Sequence, residues 1–335
     1  MPPATDTETT LWYTRCPGPL AFSAAVDLGW LDREFAADDV TVLSLAASSD
    51  RAVHQSHFDQ TQPNSFRHGG PVPPLVAASR GADIAVIGLS WGLGRQEILA
   101  LPDSGIGEAA DLRGRRLSLP IRVNDSIDFW RALVLRTYQT LLEGAGLGFD
   151  DVELVEVPIE RAFVDDARAG RDRVATLWDG AFMVGHQREE AVALVRGEVD
   201  AIFSWGPIGT VQQAAFGAEV VLEVPLGRRQ GVSTFTVSGR LARERPDLVR
   251  RVLARTQAVD RDAEQHKDQL RRIVARGAGL PEDLVEATYG ADVHEHLGVD
   301  LAPEKIEALR RQAAFLHAQG FLERPVDVDA LVVRL

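Results

Sequence analysis

Pro73-Pro74-Leu75-Val76-Ala77-Ala78-Ser79-Arg80-Gly81-Ala82-Asp83-Ile84-Ala85-Val86-Ile87-Gly88-Leu89 opens with two prolines and closes on a run of small and β-branched apolar residues. Proline suits the first turn of a helix, where a backbone N–H has no intrahelical partner to lose. Pro73 to Ser79 therefore reads as a short helix. Ile84 to Leu89 shows no polar alternation, which predicts a strand buried on both faces. Val40 to Leu45 is an earlier strand candidate. Strand, helix, strand in this order predicts an α/β fold whose sheet is parallel and covered on both sides.

Upstream, Leu11 to Thr14 is a short strand candidate, stopped by Pro17-Gly18-Pro19, and Leu20 to Leu28 is a helix with Gly29 just past its end. Cys16 lies just ahead of that helix, where the macrodipole favours a thiolate. Between the second strand and the Pro73 helix runs His57-Phe58-Asp59-Gln60-Thr61-Gln62-Pro63-Asn64-Ser65-Phe66-Arg67-His68-Gly69-Gly70-Pro71-Val72-Pro73-Pro74. Its glycines and prolines predict a loop. An arginine just before two glycines, whose amides can approach an anion closely, predicts half of an oxyanion pocket, with Cys16 as the other half.

Downstream the pattern restarts near Leu112. A strand around Leu117, a helix over Ile127 to Glu143, a strand over Val152 to Val157, a helix over Glu189 to Arg196 and a strand over Val199 to Phe203 form a second α/β unit. Strands at Val220 to Val224 and Ser233 to Val237 follow. From Pro246 the chain is nearly all helix, over Leu248 to Lys267, Asp268 to Ala275, Pro281 to Thr288 and Pro303 to Gln319. Two crossings, near Leu112 and Leu226, predict two lobes. Residues 1–112 with 226–335 form the first, carrying the cysteine and the His/Arg loop, and residues 113–225 are inserted as the second, a wall of the pocket. Small ligands bind such α/β architectures in the cleft where strand ends and helix N-termini converge.

The chain has 335 residues, 45% of them hydrophobic, enough for a substantial core. Its formal net charge of −13 argues against a nucleic-acid or anionic-membrane partner, since either needs a basic face. A single cysteine excludes an intrachain disulfide and a multi-thiolate metal site, and fits a reducing compartment. The first ten residues hold no apolar signal region, and no apolar run reaches the length of a membrane span. The expectation is a cytoplasmic monomer.

Asp111-Leu112-Arg113-Gly114-Arg115-Arg116-Leu117 and Gly197-Glu198-Val199-Asp200-Ala201 resemble recurrent phrases of the type II periplasmic-binding-protein fold, particularly of sulfonate, nitrate and taurine binders. The resemblance implies a two-lobed clamshell with mixed sheets and a helical C-terminal region. A narrower likeness rests on Tyr13, Cys16-Pro17 and Pro19, on His57-Phe58, Gln62-Pro63, Arg67, Gly69-Gly70 and Pro73-Pro74-Leu75, and on Leu93-Gly94-Arg95-Gln96. It extends through Ala109-Ala110-Asp111-Leu112, Asp150 to Val155, Ser204-Trp205, Thr236-Val237-Ser238 and Arg245-Pro246. By these residues the chain resembles the aromatic sulfinate desulfinases of biodesulfurisation. That implies hydrolysis of an aryl sulfinate, with 2'-hydroxybiphenyl-2-sulfinate and water giving 2-hydroxybiphenyl and sulfite. It also implies a catalytic cysteine, histidine and arginine, here Cys16, His57 and Arg67, and no cofactor. Thr14 keeps a hydroxyl two residues before the cysteine, whereas Arg15, Gln60 and His68 depart from the family pattern.

The chemistry needs an anion holder and a proton for the ring carbon. Arg67 could grip two sulfinate oxygens through its fork, with the Gly69 and Gly70 amides as further donors. Cys16 could attack sulfur as a thiolate activated by His57, or protonate the ipso carbon as a thiol. Thr14, Phe58, Gln62, Trp130 and Trp205 are candidate substrate contacts, and Trp178 and Phe182 are further aromatic candidates. Arg95 reads as a second anion donor or a structural pair. His54, His57 and His68 lack a carboxylate at ligand spacing, so no metal site is expected, and His294-Glu295-His296 reads as a solvated loop. The alternative is a non-catalytic binding protein for a sulfonate or similar anion. A thiamine-pyrimidine synthase of this fold would need a cysteine-rich motif, and a regulator would need a helix-turn-helix; neither is present.

Overall fold

A computed structural model describes residues 9–166, 185, 187–224 and 231–335. Trp178, Phe182 and the crossing expected near Leu226 fall outside them. The chain runs through β1 (Thr9–Arg15), α1 (Ala21–Asp27), α2 (Trp30–Phe35), β2 (Val40–Ser44), α3 (Arg51–Asp59), β3 (Ser65–Gly69), α4 (Val72–Ser79), β4 (Ile84–Trp91) and β5 (Gln96–Ala100). It continues with β6 (Arg116–Arg122), α5 (Phe129–Gly144), β7 (Glu153–Ile159), α6 (Arg188–Val195), β8 (Ile202–Trp205), α7 (Pro207–Phe216), β9 (Glu219–Glu223) and β10 (Val232–Ser238). The C-terminal region is helical: α8 (Gly239–Glu244), α9 (Pro246–Arg261), α10 (Lys267–Ala278), α11 (Leu284–Tyr289), α12 (Pro303–Ala318) and α13 (Val328–Leu331).

The first sheet has the order β2-β1-β3-β10-β4. β1 pairs in parallel with β2 and β3, while β10 is antiparallel to both of its neighbours, so the sheet is mixed where the Pro73 to Leu89 stretch alone predicts a parallel one. β10 arrives from beyond the second α/β unit, and its direction is invisible in the local pattern. β4 is buried from Ile84 to Ser90. Ala85 and Ile87 enter the cluster packed by α1, α2 and α9, whereas Val86 and Leu89 enter the one packed by α5 and α12. Alternation slips there because the pairing skips Ile87 between Gly88↔Phe235 and Val86↔Thr236, a bulge that turns the rest of the strand over.

A second sheet has the order β8-β5-β9, and β6 pairs in parallel with β7. A bridge between Leu117 and Ala201 ties these two sheets together. β5 has no counterpart in the sequence reading, because Gln96 and Glu97 look like surface residues. Both are in fact buried, and Gln96 accepts a hydrogen bond from Thr137 Oγ1 at 3.0 Å.

The stretch expected to be a loop is also more regular than predicted. His57 and Phe58 belong to α3, whose N-terminus Asp50 caps by accepting from the Ala52 amide at 2.8 Å. Gln60 (φ 55°) and Asn64 (φ 51°) make the turn, and Ser65 to Gly69 is a strand between β1 and β10. Among the described residues no helix is long and apolar enough to cross a membrane.

Candidate active site

β1 ends at Arg15, and the Cys16 amide donates to the His68 carbonyl at 2.9 Å, which stitches the cysteine to the end of β3. α3 delivers His57 from the other side. Cys16 Sγ lies 3.7 Å from His57 Nε2 and 3.4 Å from Arg67 Nη2. The three residues are thus brought together, at a half-buried thiol. Cys16 stands five residues before α1, and the groups facing its sulfur are the imidazole and the guanidinium rather than the helix end.

Arg67 is 3% exposed. Its Nε donates to the His57 carbonyl and its Nη1 to the Gly70 carbonyl, both at 2.9 Å, so most of the fork expected to grip an anion clamps the backbone instead. Of five guanidinium N–H groups, these two and the one aimed at Cys16 are engaged with the described residues, which leaves two. Gly69 is fixed by close approach: a Cβ there would overlap Cys16 Sγ and lie 2.9 Å from the Cys16 Cβ. At Gly70 a Cβ would meet nothing within 4 Å, and its carbonyl is what matters.

His57 is buried, and burial, aided by the Arg67 charge, holds its pKa well below the ordinary histidine value. Its Nδ1 is 2.7 Å from Thr14 Oγ1. Thr14 is buried behind the imidazole, and its hydroxyl faces the histidine rather than the cavity. His68, next to Arg67 on β3, has Nε2 3.1 Å from Ser90 Oγ. Burial, with the Arg67 charge adding to it, pulls its pKa down to about 3.

The sign of the resulting pH dependence is definite. Folded His68 stays neutral, whereas the unfolded chain protonates it below about pH 6.5, so stability falls as pH drops from there toward 3. Replacing His68 by Phe removes that loss. Between pH 7 and pH 5.5 the wild type should lose about 1.3 kcal/mol relative to His68→Phe, read from urea unfolding at both pH values. A constant difference between the two proteins would show that His68 is not buried as a neutral ring.

A cavity of about 250 Å³ opens at this triad. Its aromatic wall is Phe58, Phe129 and Phe163, with Phe129 and Phe163 stacked at 4.6 Å and the His57 and Phe58 ring centres 4.9 Å apart. Arg122 lies over the Phe163 ring at 3.4 Å and fixes it from behind. Trp130 and Trp205 line the same cavity. Trp130 Nε1 donates to Glu190 Oε2 at 3.0 Å, and Glu190 is fully buried with a pKa pushed up by burial to about 7. Gln62 is not at the site; it lies in the turn before β3, outside the lining. Arg95 is a structural pair, bonded to Glu223 at 3.1 Å.

Glu190, Phe129 and Phe163 were not among the expected residues. Their helix and loop positions carry no motif, and only the fold turns them inward. The expected solvated His294 is instead 3% exposed, with Nε2 3.3 Å from Glu264.

No protein-family model matches the chain. It is 32% identical to the 2'-hydroxybiphenyl-2-sulfinate desulfinases of Rhodococcus erythropolis and Rhodococcus qingshengii, over 96% of this chain and 90% of each relative. Among solved structures, a Cys→Ser variant of the desulfurisation enzyme DSZB in complex with biphenyl-2-sulfinic acid superposes with a TM-score of 0.77. It is 29% identical over 98% of this chain and 97% of that one. The periplasmic aliphatic sulphonate binding protein SsuA of Escherichia coli matches at a TM-score of 0.67 and 18% identity, over 96% of each chain. That match shows a two-lobed periplasmic-binding-protein-like fold, and the curated relatives do not favour the non-catalytic alternative. With the cysteine, histidine and arginine converging at the mouth of an aromatic cavity, the chain belongs to the 2'-hydroxybiphenyl-2-sulfinate desulfinase family.

Proposed function

We propose that the protein hydrolyses an aryl sulfinate, with 2'-hydroxybiphenyl-2-sulfinate the first substrate to try, to the arene and sulfite. The observation that carries this reading is a lone thiol held within 3.7 Å of a neutral histidine and 3.4 Å of a buried guanidinium, at the edge of an aromatic cavity. In this reading Cys16 delivers its proton to the ipso carbon as the carbon–sulfur bond breaks. The bonding pair goes to carbon, SO2 departs, and the thiolate left behind faces Arg67 Nη2. Water adds to SO2 to give hydrogen sulfite and a proton, which His57 returns to Cys16. The two remaining Arg67 N–H groups and the Gly70 amide are the donors for the sulfinate oxygens.

The reading includes a cytoplasmic monomer built of two lobes. The pairing of β5 with β8 and β9 supports moving the first crossing from Leu112 to the segment before Gln96.

The direct test is sulfite and 2-hydroxybiphenyl release from 2'-hydroxybiphenyl-2-sulfinate by the purified protein. Equimolar products support the reading, and binding without release sinks it. Thr14→Val should lower kcat about 10- to 100-fold with little change in KM, because the imidazole loses the partner that aims Nε2 at sulfur. An unchanged kcat in that variant would remove His57 orientation from the mechanism.

A further inference from the structure

Helix α5 runs along the cavity and changes character on the way. Phe129, Leu133, Arg136 and Thr140 succeed one another at helical spacing, and all line the cavity. The Phe129 end is the catalytic end, since Phe129 stacks on Phe58 at 6.2 Å and Phe58 abuts His57. Arg136 stands seven residues on, about 10 Å farther along the helix axis. Its backbone is thereby set apart from the Phe129 end of the cavity that both residues line.

Arg136 is half-buried there, with its guanidinium carbon 5.1 Å over the Phe315 ring of α12. Among the described residues its guanidinium makes no hydrogen bond and no ion pair. Burial lowers its pKa, with Glu143 opposing the shift and Arg311 adding to it. Gln312 lines the cavity from α12, also half-buried and without a side-chain hydrogen bond among the described residues. The neighbouring Thr140 hydroxyl is spent on the Arg136 carbonyl at 2.9 Å. Two donor groups that have no acceptor among the described residues, both lining an apolar cavity, are matched by a ligand that brings an acceptor.

We propose that Arg136 and Gln312 form a second polar subsite, which selects aryl sulfinates carrying a carboxylate or hydroxyl at the 4' position of the far ring, beyond the 2'-hydroxyl of the substrate for which the curated relatives are named. Resting on the desulfination reading, the subsite adds a preference that the catalytic triad cannot supply. Arg67 meets the sulfinate common to every substrate, whereas Arg136 meets only what the far ring carries.

The experiment compares biphenyl-2-sulfinate with its 4'-hydroxy and 4'-carboxy derivatives, for the wild type, Arg136→Gln, Arg136→Lys and Gln312→Leu. Sulfite release gives kcat/KM, and calorimetry on the Cys16→Ser background gives Kd without turnover. In the wild type the 4'-carboxy compound should be favoured over the parent about tenfold or more, mainly through KM. Arg136→Gln should bring that ratio within about twofold, and Arg136→Lys should retain part of it. A wild-type ratio near one overturns the subsite. So does an equal loss for all three compounds in Arg136→Gln, which would mark a general electrostatic guide. Absence of sulfite from every compound would sink the desulfination reading alone, and the Kd ratios would still decide the subsite.

Discussion

Cys16→Ser protein is expected to fold, to bind the aryl sulfinate and to release sulfite at least about a thousandfold more slowly than the wild type. The substitution is close to isosteric, and the tie that fixes residue 16 to β3 runs through its backbone amide, so the loop keeps its place. What changes is the acid. A hydroxyl gives up its proton far less readily than a thiol, and the conjugate base left facing Arg67 Nη2 would be correspondingly harder to form. Circular dichroism and ligand calorimetry confirm the fold and the binding, and a sulfite assay reads the rate. Retention of a tenth of the wild-type rate would remove Cys16 from the chemistry.

Gly69→Ala is expected to lower kcat about a hundredfold or more and to destabilise the fold by about 1–3 kcal/mol. The added methyl would overlap Cys16 Sγ and lie 2.9 Å from the Cys16 Cβ, while its 3.4 Å approach to Arg67 Nη1 is an ordinary contact, so the clash falls on the thiol. The backbone has little room to yield. Gly69 is paired with Thr234 of β10, and its carbonyl accepts from Thr234 Oγ1 at 3.3 Å. The sulfur must move, and displacement by about 1 Å is enough to disrupt a positioned group. Gly70→Ala is the internal contrast, because its Cβ would meet nothing, and its loss should be far smaller. Equal activity in the two variants would show that the Gly69 contact places nothing.

The triad itself was legible. A lone cysteine before a Pro-Gly-Pro turn and an arginine before two glycines are unusual enough in composition to be singled out, and they do converge. The side chains around them were not. Thr14 looked like a substrate contact, because spacing along a strand does not say which face a hydroxyl takes, and here it takes the His57 face. Gln62 sat among conspicuous residues, yet it belongs to the turn that lets α3 hand over to β3. β5 stayed hidden because its Gln96 and Glu97 are buried polar residues that break the apolar pattern of a strand. On α5, the residues lining the cavity share their spacing with those packing the core, such as Val134 and Tyr138. Only the position of the neighbouring elements decides which stripe becomes a binding surface.

The place of β10 in the first sheet also has a consequence in time. Cys16, His57 and Arg67 are all made within the first 67 residues, but the strand that closes β3 on its second side begins only at Val232. Thr234 follows its partner Gly69 by 165 residues, which at ribosomal speeds of about 5–20 residues per second is a wait of roughly 8 to 33 s. Throughout that interval β3 is an open edge with a thiol beside it, able to pair with another nascent chain. High-level synthesis should therefore favour aggregates seeded through residues 65–69. Slower production at lower temperature, which dilutes the open-edged chains, acts on that step rather than on the stability of the finished fold.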